Sequence, residues 1–271
     1  MSMISSEKMQ TIKQFIFRHG RLLERQQYEY FFGDGSTDAC LRALSAYQNE
    51  DGGVGNGIEP DLLYPGSTAI GAETALVTLD WLGMRESSLL NAVTRWVELH
   101  QNDRGIIPHP PAGTFDYPCA PWWTGADDNC ILAIAALLKR LGVTSDRVIA
   151  LTADYALHKP LPSELAFYDY PFLLYYMYCG QTLTDTHMLQ TIVAQLPTLL
   201  TKYADHYPLL SRYWSYAAGF VAHDVLENEA RVFVNAIQED GGMRTAYPDL
   251  PWWRPIMTLD GLIQLKRHGF I

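Results

Sequence analysis

The residues of this 271-residue chain best suited to chemistry are carboxylates set among glycines and prolines: Glu59, Asp61, Asp116, Asp127, Asp128 and Asp249. A seventh, Glu73, lies inside the apolar run 68–82, where a bare carboxylate is costly without a partner. Two carboxylates facing each other across a cavity can serve as acid and base, one pKa being raised by burial or by the other group. Glycosidases need that arrangement. Glu59, Asp61, Glu73, Asp116 and Asp128 are therefore the candidate catalytic residues. Aromatic residues accompany them. Trp122-Trp123 and Trp252-Trp253 stand at corresponding places, with Tyr64, Tyr117, Tyr247, Phe115 and Arg254 nearby in the sequence. Aromatic faces suit a sugar ring, a prenyl chain or a carbocation. The two Trp pairs, the three tyrosines, Arg254 and His109, a proton shuttle by type, form the candidate ligand-binding set. The competing expectation is that most of these acids are solvated loop residues or helix caps, and that one Trp of each pair packs between helices. Asp169, between Tyr168 and Tyr170, is a further acid in an apolar setting, placed to bond a tyrosine hydroxyl.

The loops carrying these residues follow a recurring corner. Gln48-Asn49-Glu50-Asp51-Gly52-Gly53, Gln101-Asn102-Asp103-Arg104-Gly105 and Gln238-Glu239-Asp240-Gly241-Gly242 each close a helix-like run. Tyr-Pro follows each, at 64, 117 and 247. Self-similarity of this kind marks a repeat architecture. Glycine is expected just past a helix end because it accepts positive φ. The glutamines are expected to bond backbone groups left open at neighbouring helix ends.

Between the corners, two kinds of helix alternate. Runs at 37–48, 88–101, 145–158, 185–202 and 225–238 carry one apolar stripe, the mark of an exterior helix. Runs at 68–82, 126–142, 166–179, 207–223 and 253–268 are apolar nearly all round, the mark of an interior one. A further helix is expected near 8–30. Strand signals are weak throughout. The predicted fold is all-α, a single domain over 1–271, in which five to six antiparallel hairpins close into an α/α toroid with the corners at the mouth of a central cavity.

Trp96-Val97, three residues, Gln101 and Gly105 resembles the glutamine-containing repeat of terpenoid cyclases. Phe233-Val234 with Gln238 and Asp240-Gly241-Gly242, and Ala43-Leu44 with Gln48 and Asp51-Gly52-Gly53, resemble it again. All three are also similar to the repeats of protein prenyltransferase β subunits. The resemblance implies the toroid and an apolar, isoprenoid-like ligand. It does not extend to the cyclase acids: Gly125-Ala126-Asp127-Asp128 lacks the first carboxylate of Asp-x-Asp-Asp, and Asp127-Asp128-Asn129-Cys130-Ile131 lacks the last acid of Asp-Asp-x-x-Asp. Prenyltransferases hold zinc through Asp-x-Cys at the start of an interior helix and a distant His. Asp128-Asn129-Cys130 has that form, and zinc is an acceptable ion for such donors. The only downstream His in view, His187, opens an exterior helix. The alternative is that Asp127 or Asp128 caps the helix and Cys130 fills the core. No cofactor is predicted, and Asp128 and Cys130 are kept as the only candidates for zinc.

The formal net charge of −10 disfavours nucleic acid and anionic membrane surfaces as partners. No apolar stretch approaches the roughly 20 residues needed to span a bilayer. Four scattered cysteines without a CxxC pair fit free thiols in a cytoplasm. No GxSxG, P-loop or HExxH motif occurs, so serine hydrolase, nucleotide and common zinc-protease readings have no footing. Three readings follow: a protein binding or transforming an apolar, isoprenoid-like small molecule; a carbohydrate-active hydrolase or lyase using cavity carboxylates and Trp platforms; and a non-catalytic ligand-binding toroid.

Overall fold

The computed structural model describes residues 2–125, 129–143, 145–245 and 249–271. Among the described residues the regular structure is helical, with eleven α-helices and six short 3-10 turns and no strand. The helices are α1 (Ser6–His19), α2 (Leu22–Phe32), α3 (Thr37–Ser45), α4 (Ala69–Trp81), α5 (Ser88–His100), α6 (Cys130–Leu141), α7 (Asp146–His158), α8 (Tyr170–Tyr178), α9 (Leu183–Lys202), α10 (His223–Ala236) and α11 (Trp253–Arg267). None of these is long and apolar enough to cross a membrane. The chain divides into two compact units, Leu44–Ala194 and Met1–Ala43 with Gln195–Ile271.

In the unit 44–194 the apolar patterns dictate two rows. Every residue of α4 except Asp80 is buried, as are Ile131–Leu138 of α6 and Tyr170–Tyr176 of α8. These three pack side by side with α6 in the middle. The amphipathic helices bury one stripe each: Leu89, Leu90, Val93, Trp96 and Val97 in α5, and Val148, Thr152 and Ala156 in α7. They form the second row, α5 against α4 and α7, and α7 against α6. Starts are fixed by hydroxyls: Thr68, Ser87 and Ser145 each accept from an amide of the first turn. At the other end, Arg140 of α6 donates to Asp80 of α4 at 2.7 Å and to the Tyr178 hydroxyl of α8 at 3.0 Å, so one guanidinium spans three inner helices.

The unit formed by the two chain ends repeats the scheme. Here α11 packs against α1 and α2, and Met3 N–H donates to the Phe270 carbonyl at 2.8 Å. The expected single helix over 8–30 is two, α1 and α2. Extended backbone at Gly20 and Arg21 turns the chain, and a Cβ at Gly20 would stand 2.6 Å from the Ile16 carbonyl oxygen. The expected interior helix at 207–223 is replaced by two 3-10 turns, Pro208–Leu210 and Ser215–Phe220. Ser211 explains the change. Its hydroxyl donates to the Pro208 carbonyl at 2.7 Å and accepts from the amides of Tyr213 and Trp214, local bonds that compete with a helix ladder. Trp214 is nonetheless fully buried, so the segment still supplies core.

The corners have one geometry with a shift of register. Asn49 N–H donates to Gly53 O, Asn102 N–H to Ile106 O and Gln238 N–H to Gly242 O, each at 2.9 Å. Gln238 therefore occupies the place of Asn49 and Asn102, one residue later than Gln48 and Gln101. The side chains differ accordingly. Gln48 and Gln101 donate to the carbonyls of Gly52 and Gly105, and Gln101 also donates to Thr152 Oγ1 of α7 at 2.9 Å. Gln238 instead accepts from Arg254. The glycines at the corner, Gly52, Gly105 and Gly241, share φ of +88°, +78° and +91°. Each is pressed on the backbone of another helix: a Cβ would stand 3.0 Å from Ala92 O of α5, 2.2 Å from Leu151 O of α7 and 2.6 Å from Thr11 O of α1, respectively.

That contact separates two effects of a side chain. Gly142, which ends α6 at φ +82°, has open space where a Cβ would be. Gly142→Ala should cost about 1 kcal/mol, the left-handed strain alone. Gly105→Ala adds a clash with Leu151 O and should cost about 3 kcal/mol. Denaturant unfolding of the two variants checks this, and equal losses would show that the backbone contact contributes nothing.

Candidate functional site

The unit 44–194 brings together most of the loop residues singled out above. Loop 54–67 follows the first corner and loop 106–123 the second. They are joined by an isolated antiparallel bridge between Leu62 and Cys119, with Leu63 N–H donating to Pro118 O at 3.0 Å and Ala120 N–H to Asp61 O at 2.8 Å. Tyr64 and Tyr117 meet edge to face across this junction, with ring centroids 5.7 Å apart. The first loop is tied back by its corner: Asp51 accepts from Gly53 N–H at 2.9 Å, Ser67 Oγ at 2.7 Å and the Trp96 indole of α5 at 3.0 Å.

Three candidate carboxylates are buried here. Glu59 accepts from Thr74 Oγ1 of α4 at 2.5 Å. Its neighbour along α4, Glu73, accepts from the Tyr170 hydroxyl at the start of α8. Asp61 accepts from the Trp122 indole N–H at 3.1 Å. Trp122 itself is 44% exposed although its nitrogen is bonded to a buried group. Tyr117 and Phe115 are exposed alongside it in the same loop. His109 is buried against Trp123, edge to face at 5.2 Å. Burial pushes its imidazole down to about 4, so at neutral pH it is uncharged and not a ready proton donor. The buried Trp123 Nε1 has no hydrogen-bond partner among the described residues. Asp61 thus meets the edge of a part-exposed indole, and Glu59 and Glu73 each meet a hydroxyl.

Other candidates stand apart. Asp116, in the 3-10 turn Thr114–Asp116, is exposed. Asp127, Asp128 and Tyr247 lie outside the described residues. Cys130 is the first residue of α6, and Asn129 before it accepts from the Tyr155 hydroxyl at 2.9 Å. His187 is an exposed residue within α9. Among the described residues, no three His, Cys, Asp or Glu side chains converge as a metal site. Asp169 was expected to meet a tyrosine hydroxyl; its carboxylate accepts from the Ala166 amide at 2.6 Å, closing the turn before α8.

The second aromatic pair belongs to the other unit. Trp253 is buried at the start of α11, as expected for one member of the pair, and Trp252 is 46% exposed. Arg254 has a structural task there. It donates to Asp240 at 2.8 and 3.0 Å, to Gln238 Oε1 and to Met243 O, and it lies 4.8 Å from the Phe15 ring. Burial works to raise the Asp240 carboxyl, but the Arg254 and Gly242 bonds outweigh it and hold it below its ordinary value. Asp249 is exposed.

A charged network in this unit was missed by sequence reasoning. Glu24 of α2 is buried and bonded by Arg21, and Asp260 of α11 is buried and bonded by Arg212 at 2.7 and 3.1 Å. Burial raises both carboxyls; the Arg21 bonds outweigh it at Glu24, which is held low, while Asp260 stays raised despite Arg212. For Asp260 the signal was an acid inside an apolar run, the same that singled out Glu73; Glu24 lies in the polar helix α2, whose sequence gives no such signal.

No family model, curated protein or solved structure matches this chain.

His109 gives a test by pH. A depressed folded pKa means that the unfolded chain takes up the proton more readily, so stability is intact above about 6.5 and is lost as pH falls toward 4. Over that window wild-type protein should lose about 3 kcal/mol more than His109→Phe. Parallel stability curves for the two proteins would remove His109 from the titration.

Proposed function

We propose that the paired loops 54–67 and 106–123 form a saccharide-binding site, with the ring of Trp122 as platform and nearby carboxylates, Asp61 at its edge, as acceptors for sugar hydroxyls. The observation that carries this reading is Trp122: its indole N–H is held by buried Asp61 while the residue stays 44% exposed. A platform fixed in this way stacks on a sugar ring at low entropic cost. Tyr117 and Phe115 extend the apolar rim. Glu59 and Glu73, each bonded by a hydroxyl, are the acid–base candidates if the site also cleaves.

The repeated corners resemble those of terpenoid cyclases and prenyltransferases, which suggests an isoprenoid-like ligand instead. The polar side chains Glu59, Asp61 and Glu73 behind these loops suit a hydroxyl-bearing ligand better than an isoprenoid chain. We also propose that the hairpins close into an α/α toroid. The alternation of helix types and the packing of both chain ends into one unit support it. The scattered thiols, all unbridged, support a cytoplasmic setting.

Tryptophan fluorescence titrated with neutral oligosaccharides tests the site, with prenyl diphosphates as the opposing panel. Saccharide should produce a saturable change that Trp122→Ala weakens by at least ~10-fold, about 1.4 kcal/mol. Trp122→Phe, which keeps a platform, should retain most of the affinity. A response to prenyl diphosphate alone, or saccharide binding indifferent to Trp122→Ala, overturns the reading.

A further inference from the structure

A second cavity lies in the unit of the chain ends, outside the loops just described. It has a volume of about 370 Å³ and is formed between the last turns of α9 and one face of α10. Its walls are largely apolar, with Pro197 and Leu200 from α9 and Val225 and Val232 from α10. Val225 and Val232 are 40% and 45% exposed although both are β-branched apolar side chains. The one charged group lining it is Glu229.

Glu229 is held in an unusual way. One carboxylate oxygen accepts from the Leu209 amide at 2.7 Å, beside the Leu210 amide, which donates to Tyr207 O at 3.0 Å. Both amides belong to the 3-10 turn that takes the place of the expected interior helix. No basic side chain among the described residues pairs with Glu229. Burial pushes its carboxyl up to about 7, as expected for a group short of solvent and of a counter-charge. A carboxylate in an apolar pocket without a cation is costly, and such costs are commonly met at binding sites.

We infer that the α9–α10 cavity is a binding site for a small organic ammonium ion, whose charged head pairs with Glu229 and whose apolar body lies between Pro197, Leu200, Val225 and Val232. The chemistry of the walls makes both demands at once. A neutral apolar molecule would leave the carboxylate unpaired, a hydrated metal ion would leave the valines uncovered, and an anion would be repelled. A primary ammonium supplies three donors to a carboxylate whose amide bond leaves acceptor capacity unused.

Calorimetric titration of the full chain with n-hexylammonium, hexanol and hexanoate, at mildly alkaline pH where Glu229 is ionised, tests the assignment. Hexylammonium should bind saturably and at least ~10-fold more tightly than hexanol, with hexanoate weaker still. Glu229→Gln should erase the preference for the ammonium over the alcohol. Should that variant fold poorly, Val232→Lys provides the second arm. It sets an ammonium one turn along α10, three residues from Glu229, where the two side chains are neighbours, and should abolish hexylammonium binding. Hexanol binding as tightly as hexylammonium, no saturable ammonium binding, or full affinity in both variants would each overturn the inference.

Discussion

A glycine backbone held against the carbonyl of a neighbouring helix is the contact on which the arrangement rests. At the second corner, Gly105 leaves no room for even a methyl group beside Leu151 O. The corner is thus both the end of one helix and the docking point for another. Its left-handed φ and its missing Cβ answer different demands, one of the turn and one of the neighbour. The first corner shows how far the constraint reaches. Asp51 collects an amide, the Ser67 hydroxyl and the Trp96 indole, so the end of α3, the approach to α4 and the flank of α5 are fixed by one carboxylate. The loop that carries Glu59 and Asp61 is strung between those fixed points.

The inner helices impose the second constraint. A helix buried on all sides leaves its few polar residues no access to water, so each must find a partner among its neighbours. Glu73 finds Tyr170 and Thr74 finds Glu59, in a unit where α6 lies between α4 and α8. In the other unit Asp260 finds Arg212 and Glu24 finds Arg21. The two solutions differ in kind. Ion pairs between guanidinium and carboxylate cancel charge and specify packing. The carboxylates of Glu59, Glu73 and Asp61 are met instead by two hydroxyls and an indole.

Much of this was written in the sequence at the level of helix type. The all-round apolar runs became α4, α6, α8 and α11, and the striped ones became α5, α7 and α10, because periodicity reports burial directly. Three things were not legible. Gln238 matched Gln48 by identity, yet by hydrogen bonding it stands where Asn49 does; letter matching aligned side chains, whereas the fold aligns the left-handed glycines. The segment 207–223 has interior composition, but the Ser211 hydroxyl diverts its backbone into 3-10 turns, a local competition that composition does not reveal. Arg254 looked like a ligand contact because of its place after two tryptophans. It is occupied by Asp240, the acid of its own corner, 14 residues earlier in the chain.

The irregular segment also accounts for the least expected site. Regular helices satisfy their own amides, so a carboxylate on a neighbouring helix has no backbone donors to meet except at a helix start. The 3-10 turn Pro208–Leu210 leaves the Leu209 amide to be bonded from outside, and Glu229 supplies the acceptor. The carboxylate is thereby drawn out of solvent on an otherwise amphipathic helix, beside a proline-bearing stretch of α9. The loss of one expected helix and the appearance of a half-buried acid without a counter-charge are thus two consequences of the same local choice by the chain. A straight helix at 207–223 would leave Glu229 an ordinary solvated residue of α10, and the apolar groove beside it without a charge to recognise.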